Sequence, residues 1–129
     1  MSPDFVCVYG QATQAEVIER VRASRVSADV LAWVFVMNTR KRLDGAIPLA
    51  DLLRADPRLR ADEFARPPQR VRTDADIEEV ARLMTDYDLS VLAVVDEEER
   101  QVGVITVDDV LELVLPKGWR RQFGIFGED

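Results

Sequence analysis

Apolar and polar positions follow two patterns along the chain, one helical and one extended. Around Ala15, Val17 and Ile18 the apolar side chains recur at helical spacing, whereas residues 31–37 form an unbroken apolar run. Such a run predicts a strand that is buried on both faces. The elements predicted for the first half are a strand at 5–9, a helix at 13–22, strands at 31–37 and 43–47, and a helix at 49–54.

The same order of elements returns in the second half of the chain. Thr73 is the predicted N-cap of a helix that ends near Thr85, and Pro116 ends the last helix. Residues 56–68 are charged and contain three of the six prolines, which is typical of a linker with one helical turn. The elements predicted here are a strand at 70–72, a helix at 73–85, strands at 89–95 and 102–105, and a helix at 106–115.

An internal repeat accounts for this order. At an offset of 58 residues, six of the 21 positions from 33 to 53 are identical, among them Gly45 with Gly103 and Asp51 with Asp109. Residue usage alone predicts roughly one or two identities. We therefore predict an α/β (α+β) fold in which two βαββα repeats pack as a pseudo-twofold pair, because one unit is too small to bury its sheet. The predicted divisions are repeat 1 at 5–55, a linker at 56–69, repeat 2 at 70–116 and a C-terminal tail at 117–129.

Composition excludes several classes of function. The chain has 129 residues, no histidine, a single cysteine and a net charge of −7. These counts exclude Ser-His-Asp catalysis, imidazole metal ligands, an internal disulfide and a CxxC redox pair. An acidic chain without a basic run is a poor candidate for nucleic-acid binding. One free thiol and no apolar run near 20 residues predict a cytoplasmic protein, or the cytosolic part of a membrane protein.

The segment around Thr106 carries the most informative motif. A strand opened by Gly103 runs directly into a helix that begins at Thr106. A helix N-terminus presents unpaired N–H groups and positive partial charge, which suit a phosphate. The Thr106 hydroxyl can donate to a phosphate oxygen, and the Asp109 carboxylate can accept both hydroxyls of a ribose. The same spacing also fits a capping box, in which the two side chains bond to backbone N–H groups.

Residues 70–115 closely resemble a cystathionine-β-synthase (CBS) domain. The matching pieces are V-x-T-D-A-D before the helix, Y-D-L-S-V-L-A-V-V-D on the strand and G-V-I-T-V-D-D at the turn. Residues 5–55 match more weakly, and the chain is identified as a tandem CBS pair. Three segments are most similar to the cytosolic regulatory CBS region of MgtE-type magnesium transporters. They are Y-D-L, V-V-D-E-E and G-V-I-T-V-D-D-V.

The resemblance implies a regulatory sensor that does no chemistry. CBS pairs bind adenosine nucleotides in clefts between their repeats and often dimerise. It implies AMP, ADP or ATP as the ligand, Mg²⁺ as a further candidate, a homodimer, and a membrane transporter or another effector as partner. Two alternatives stay open: a ligand-free dimerisation or interaction module, which the degenerate first repeat favours, and a small enzyme that uses the carboxylates of Asp51 and Asp109.

The resemblance also assigns residues to the site by position. Thr106 would contact phosphate or ribose, and Asp109 would contact the ribose hydroxyls. The residues assigned to the adenine slot are Val71, Ser90, Val91, Leu92, Val104 and Ile105. Pro48 stands where the family usually has Thr or Ser, so we expect the equivalent site of the first repeat to be weak or empty. The residues assigned to that weaker site are Ala46, Ile47 and Asp51.

Three other features have a structural and a functional interpretation. The acidic run 96–99 is a Mg²⁺ site or a solvated hairpin turn, and the turn is favoured. Trp33 in an apolar strand is expected in the core, and Cys7 is expected to be a small buried apolar residue. The apolar tail at 117–129 is expected to pack on the pair or to join a dimer contact.

Overall fold

Two three-stranded sheets, each covered by helices on its outer face, build the protein. The computed structural model describes residues 1–115. In each sheet the first strand runs parallel to the middle strand, and the third strand runs antiparallel to it. The predicted fold of two βαββα repeats is confirmed. The tail at 117–129 lies outside the described residues.

The first repeat contains three strands and two α-helices. In chain order they are β1 (Cys7–Tyr9), α1 (Gln14–Ala23), β2 (Trp33–Met37), β3 (Leu43–Pro48) and α2 (Leu49–Arg54). A 3-10 helix at Val30–Ala32 precedes β2, so the strand begins two residues later than predicted. Thr13 and Glu16 form a capping box at the start of α1, as their spacing predicts.

The second repeat has the same five elements and is preceded by a short helix. In chain order they are α3 (Ala61–Phe64), β4 (Arg70–Arg72), α4 (Ile77–Asp86), β5 (Val91–Val95), β6 (Gln101–Thr106) and α5 (Val107–Val114). The prediction that Thr73 caps α4 is wrong. The N-cap is Asp76, whose carboxylate accepts the N–H of Glu79 at 2.9 Å. Thr73 lies instead in a turn closed by the Ala75 N–H and the Arg72 carbonyl.

The repeats share their backbone geometry residue by residue. The pairs formed between β2 and β3 recur between β5 and β6 at an offset of 58 residues, including a register shift near the end of the middle strand. Lys41 and Glu99 occupy equivalent places in the two hairpin turns, with positive φ angles of 64° and 66°. The repeat inferred from six identities is therefore present throughout both sheets.

Apolar side chains fill three layers. Helices α1 and α2 pack on the first sheet, and α4 and α5 pack on the second. A middle layer joins the inner faces of the two sheets, which therefore pack face to face as predicted. Its buried members are Val30, Phe35, Leu43, Ala46, Val91, Ala93, Val95 and Val104. No helix within residues 1–115 is long and apolar enough to span a membrane.

Each sheet is extended by a residue that precedes the other repeat in the chain. Arg66, just before β4, forms an antiparallel bridge with Ala46 in β3. Ser2, before β1, forms the equivalent bridge with Val104 in β6. In each bridge the backbone N–H and carbonyl groups bond reciprocally at 2.9 Å. The two repeats are thus linked by backbone pairing as well as by the middle apolar layer.

Candidate nucleotide site

Thr106 and Asp109 lie where β6 passes directly into α5. The Oγ1 of Thr106 accepts the N–H of Asp109 at 3.2 Å, and the Oδ2 of Asp109 accepts the N–H of Thr106 at 3.0 Å. The capping box, one of the two interpretations of this spacing, is therefore formed. These bonds use neither the hydroxyl proton of Thr106 nor the second carboxylate oxygen of Asp109. Both groups can still serve a ligand.

A cavity of about 300 Å³ lies between the two repeats beside this helix N-terminus. Its volume is at the lower end of the range for small-molecule sites. It is lined by Ala28, Asp29 and Ala32 from the first repeat and by Ser90, Thr106, Val107 and Asp108 from the second. The structure thus brings Ser90 and Thr106 together at one cavity. Asp109 lies next to it, one residue beyond the lining.

The cavity is negatively charged. Asp29 and Asp108 contribute carboxylates, and its described lining contains no basic side chain. Carboxylates repel phosphate groups at short range, and the N-terminus of α5 is the positive element of the lining. The lining therefore disfavours a ligand that carries several unneutralised negative charges.

Most side chains assigned to the adenine slot are buried in the core. Val71 and Leu92 lie beneath α4 and α5, and Val91 and Val104 lie between the sheets, each with 3% exposure or less. Ile105 is partly buried against the helix-side layer. Any contact of these strands with an adenine ring therefore involves their backbone atoms, or a wider cleft than the one in this structure.

Asp51, the first-repeat counterpart of the α5 carboxylate, is held in an ion pair. The Nη2 of Arg66 lies 2.9 Å from its Oδ2, and the Nε of Arg66 donates to the same oxygen at 3.1 Å. Pro48 precedes α2 and makes no side-chain capping bond. Ala46 and Ile47 are buried. The equivalent site of the first repeat thus contains an internal cation that the sequence did not predict.

The acidic run 96–99 forms a hairpin turn, which is the favoured of its two interpretations. The Oδ1 of Asp96 accepts the N–H groups of Glu98 at 2.8 Å and of Arg100 at 3.0 Å. The hydrogen bond from the backbone N–H of Arg100 is the main cause of the lowered pKa of Asp96. Across residues 1–115, no three Cys, Asp or Glu side chains are grouped so as to hold a metal ion.

Two residues of these sites were missed in the sequence, and two residues expected in the core are only partly buried. Asp29 precedes a 3-10 helix hidden in the apolar run, and Arg66 pairs with a residue 15 positions away. Local spacing signals neither position. Trp33, expected in the core, and Cys7, expected to be buried, are both only partly buried against the middle layer.

Sequence comparison identifies relatives of the whole repeat pair. The CBS domain family profile matches residues 1–58 and 61–116. The magnesium transporter MgtE of Thermus thermophilus is 47% identical over 115 residues, which cover 88% of this chain and 26% of the transporter. The chain therefore spans about a quarter of the length of that relative.

Solved structures agree with the sequence comparison. The cytosolic domain of the Mg²⁺ channel MgtE in complex with ATP has a TM-score of 0.82 and 47% identity, over 87% of this chain and 46% of that one. The soluble part of a magnesium transporter has a TM-score of 0.75 at 23% identity, over 85% of this chain and 43% of the other, and shows the fold alone. The resemblance to the MgtE cytosolic region is thus confirmed. With two matched repeats of shared backbone geometry, the chain belongs to the CBS domain family.

Proposed function

We propose that this CBS pair is a regulatory module that binds an adenine nucleotide and controls an effector, a magnesium transporter, on the cytosolic side of a membrane. The observation that carries the proposal is the 47% identity to the cytosolic MgtE domain solved with ATP. The position of the cavity supports it, because both repeats line that cavity. A ligand held there binds preferentially to one arrangement of the repeats, which is the requirement for passing on a signal. The module senses its ligand and catalyses no reaction.

In the proposed complex the nucleotide lies against the N-terminus of α5. Thr106 donates its hydroxyl proton to a phosphate or ribose oxygen, and Asp109 accepts the ribose hydroxyls. Ser90 lines the wall, and the adenine ring lies along the strands. The strand residues proposed to surround it are Val71, Val91, Leu92, Val104 and Ile105.

We propose one strong nucleotide site per chain. The equivalent site at Asp51 has Pro48 in place of a residue with a hydroxyl, and proline also lacks an N–H donor. In addition, Arg66 already neutralises the Asp51 carboxylate. Both Arg66 contacts use the Oδ2 of Asp51, so ribose hydroxyls would compete with this ion pair at one oxygen, and binding there is weakened mainly by Pro48.

Calorimetric titration with ATP and Mg²⁺ tests the assignment through two matched variants. Asp109→Asn keeps an oxygen that can accept the Thr106 N–H, so α5 stays capped while the charge is lost. We expect affinity to fall roughly 10- to 100-fold, the usual effect of one lost hydrogen bond to a charged group. Asp51→Asn makes the same chemical change in the other repeat and should leave the affinity unchanged.

Three results would count against this proposal. Binding lost in Asp51→Asn but kept in Asp109→Asn would move the site to the first repeat. Two equal sites per chain would show that neither Pro48 nor Arg66 matters. No heat with AMP, ADP or ATP would remove nucleotide sensing altogether.

Magnesium should strengthen the binding of ATP. Asp29 and Asp108 line the cavity, so a free triphosphate meets like charge there, whereas its Mg²⁺ complex does not. We expect affinity for ATP to be roughly tenfold higher with Mg²⁺ than with Na⁺ at matched ionic strength. AMP, with one phosphate, should respond less. Equal ATP affinity in both salts would exclude Mg²⁺ from the complex.

A homodimer is a further part of the proposal, and a ligand-free dimerisation module is the second candidate function. Leu53 on α2 and Leu113 on α5 are 65% and 74% exposed. Two exposed leucines on outer helices favour contact with a second copy. Sedimentation velocity should show a dimer that Leu113→Glu dissociates, whereas Val102→Glu, at an exposed position on β6, should not. A monomer at all concentrations would contradict the dimer.

A further inference from the structure

A second cavity, of about 470 Å³, lies at the opposite ends of the strands from the nucleotide site. There the β2–β3 and β5–β6 hairpins of the two repeats come together. Phe5, Cys7 and Leu43 contribute apolar side chains to its wall. Its volume is well within the range of small-molecule sites. The proposed nucleotide sensor makes no use of it.

Two basic side chains of this cavity have no carboxylate partner. Arg20 on α1 and Lys41 in the first hairpin turn line it and are exposed, and neither forms an ion pair with any residue from 1 to 115. Arg100 also lines the cavity, but it is paired with Asp96 at 3.1 Å and with Glu98 at 2.8 Å. The cavity is therefore locally positive, although the chain has a net charge of −7.

The second repeat has a carboxylate in the corresponding place. Glu99 stands where the first repeat has Lys41, with the same left-handed backbone. Its carboxylate lies 2.6 Å from the Nε of Arg70 and 3.0 Å from the Nη2 of Arg72. The counterpart of Arg70 in β1 is Cys7. The first repeat thus has a lysine and a thiol at the places where the second has a carboxylate in contact with an arginine.

A buried acceptor also lines this cavity. The Oε1 of Gln101 is buried and has no hydrogen-bond partner in the described part of the chain. Its Nε2 donates to the carbonyl of Gly103 at 3.2 Å, so the amide orientation is held. Buried acceptors without a donor are uncommon in proteins, because they have lost water without replacement. A ligand with an O–H or N–H group would supply the donor only after the Gln101 side chain turns toward the cavity, because this oxygen has almost no accessible surface in the structure.

We propose that this cavity binds a small organic anion. Its carboxylate or phosphate group lies between Lys41 and Arg20, and its apolar body packs against Phe5, Cys7 and Leu43. After a turn of the Gln101 side chain, a hydroxyl or amine group on that body donates to its Oε1. The bound anion supplies the negative charge that the Glu99 carboxylate supplies in the other repeat.

Ligand-observed NMR titration tests the site with three probes of similar size. These are 4-hydroxybenzoate, 4-hydroxyphenyl phosphate and the neutral 4-hydroxybenzamide. At least one anion should bind about tenfold more tightly than the amide, because only the anions satisfy the two cations. Comparing the two anions distinguishes a carboxylate ligand from a phosphate ligand.

Charge-removing variants locate the binding. Lys41→Gln and Arg20→Gln should each weaken the preferred anion about tenfold. Arg40→Gln removes the same charge from the neighbouring exposed residue outside the cavity, and it should have no effect. All three positions are exposed, so melting temperatures should stay at the value of the unchanged protein. ATP binding should survive Lys41→Gln, and anion binding should survive Asp109→Asn.

Three outcomes would overturn the proposal. One is that neither anion binds better than the amide. Another is that Arg40→Gln weakens the anion as much as Lys41→Gln does, which would indicate general charge attraction. The third is that Asp109→Asn abolishes anion binding, which would place the probe in the nucleotide cavity. None of these results bears on ATP binding, which is measured separately.

Discussion

Thr106 uses its hydroxyl oxygen to cap α5, and its hydroxyl proton is the atom that remains for the proposed nucleotide. Asp109 divides its two oxygens in the same way. In the proposed complex, folding and binding use different atoms of the same residues, so an alanine at either position should disturb both. Asparagine at position 109 separates the two effects, since it removes the charge and keeps an acceptor for the cap.

Cys7 should react slowly with alkylating reagents. Burial raises the pKa of its thiol from 9.0 to about 11, although nearby Arg20 acts in the opposite direction. Because the thiolate is the reactive form, this shift predicts alkylation at pH 8 roughly a hundredfold slower than in the unfolded chain. Iodoacetamide labelling in buffer and in urea, followed by mass spectrometry, measures the ratio.

The same shift has a consequence for stability. The unfolded chain releases the thiol proton near pH 9, before the folded chain does, so stability falls as the pH rises from about 9 towards 11. Replacement of Cys7 by alanine should remove this part of the pH dependence. Equal labelling rates in buffer and urea would contradict the burial on which both expectations rest.

The hydrogen bonds and ion pairs of individual side chains were predictable where the two partners are close in sequence. Thr106 and Asp109 are three positions apart, so their capping box follows from helix geometry alone. Arg66 and Asp51 are separated by 15 residues, and their ion pair depends on the path of the chain between them. Asp29 reaches the nucleotide cavity only because the two repeats pack together.

At the scale of elements, turn chemistry determines where strands and helices end. Asn38 and Asp96 each accept two backbone N–H groups within their hairpin turns. Such turns are signalled by Asn and Asp, which is why both hairpins were predicted. The start of α4 was not, because Thr73 and Asp76 are both good capping residues and only the second reaches the N–H of Glu79.

Gly45 in β3 should not tolerate a larger residue. A Cβ at this position would lie 2.9 Å from the Cβ of Ala65, next to the Arg66 bridge that extends the first sheet. We expect Gly45→Ala to lower the free energy of unfolding by about 1–3 kcal/mol, as overpacking usually does. Urea unfolding measures the change.

A second substitution provides the control for Gly45. Ala65→Gly removes the atom that would clash, so the double variant should recover much of the loss. The two changes should therefore be coupled in a double-mutant cycle, as expected for residues in contact. Additive effects would mean that Gly45 is required for a reason other than this approach.

At the scale of the whole molecule, stability depends on the apolar layer between the sheets. Phe35 is 3% exposed in that layer, and its ring meets the ring of Phe5 edge to face at 6.3 Å. Phe35→Ala should lower the free energy of unfolding by about 3–5 kcal/mol. Tyr87→Ala, at a position 54% exposed, should change it by only about 0.5 kcal/mol.

Denaturant unfolding measures the free energy of unfolding of both variants, so the two losses can be compared directly. Most proteins of this size have a total stability of about 5–15 kcal/mol, so the Phe35 variant should lose a large share of it. Similar losses in the two variants would show that the layer between the sheets contributes no more than the surface does. The face-to-face arrangement itself was predictable, because the apolar strands are buried on both faces while the helices have one apolar side.

The dependence of each sheet on the other also sets an order of events during protein synthesis. Equivalent residues of the two repeats are 58 positions apart in the chain. At roughly 5–20 residues per second, Phe35 leaves the ribosome roughly 3–12 s before Ala93, its equivalent in the second sheet. Throughout that interval the inner face of the first sheet has no partner. It is then the surface on which a chaperone, or a neighbouring nascent chain, would first bind.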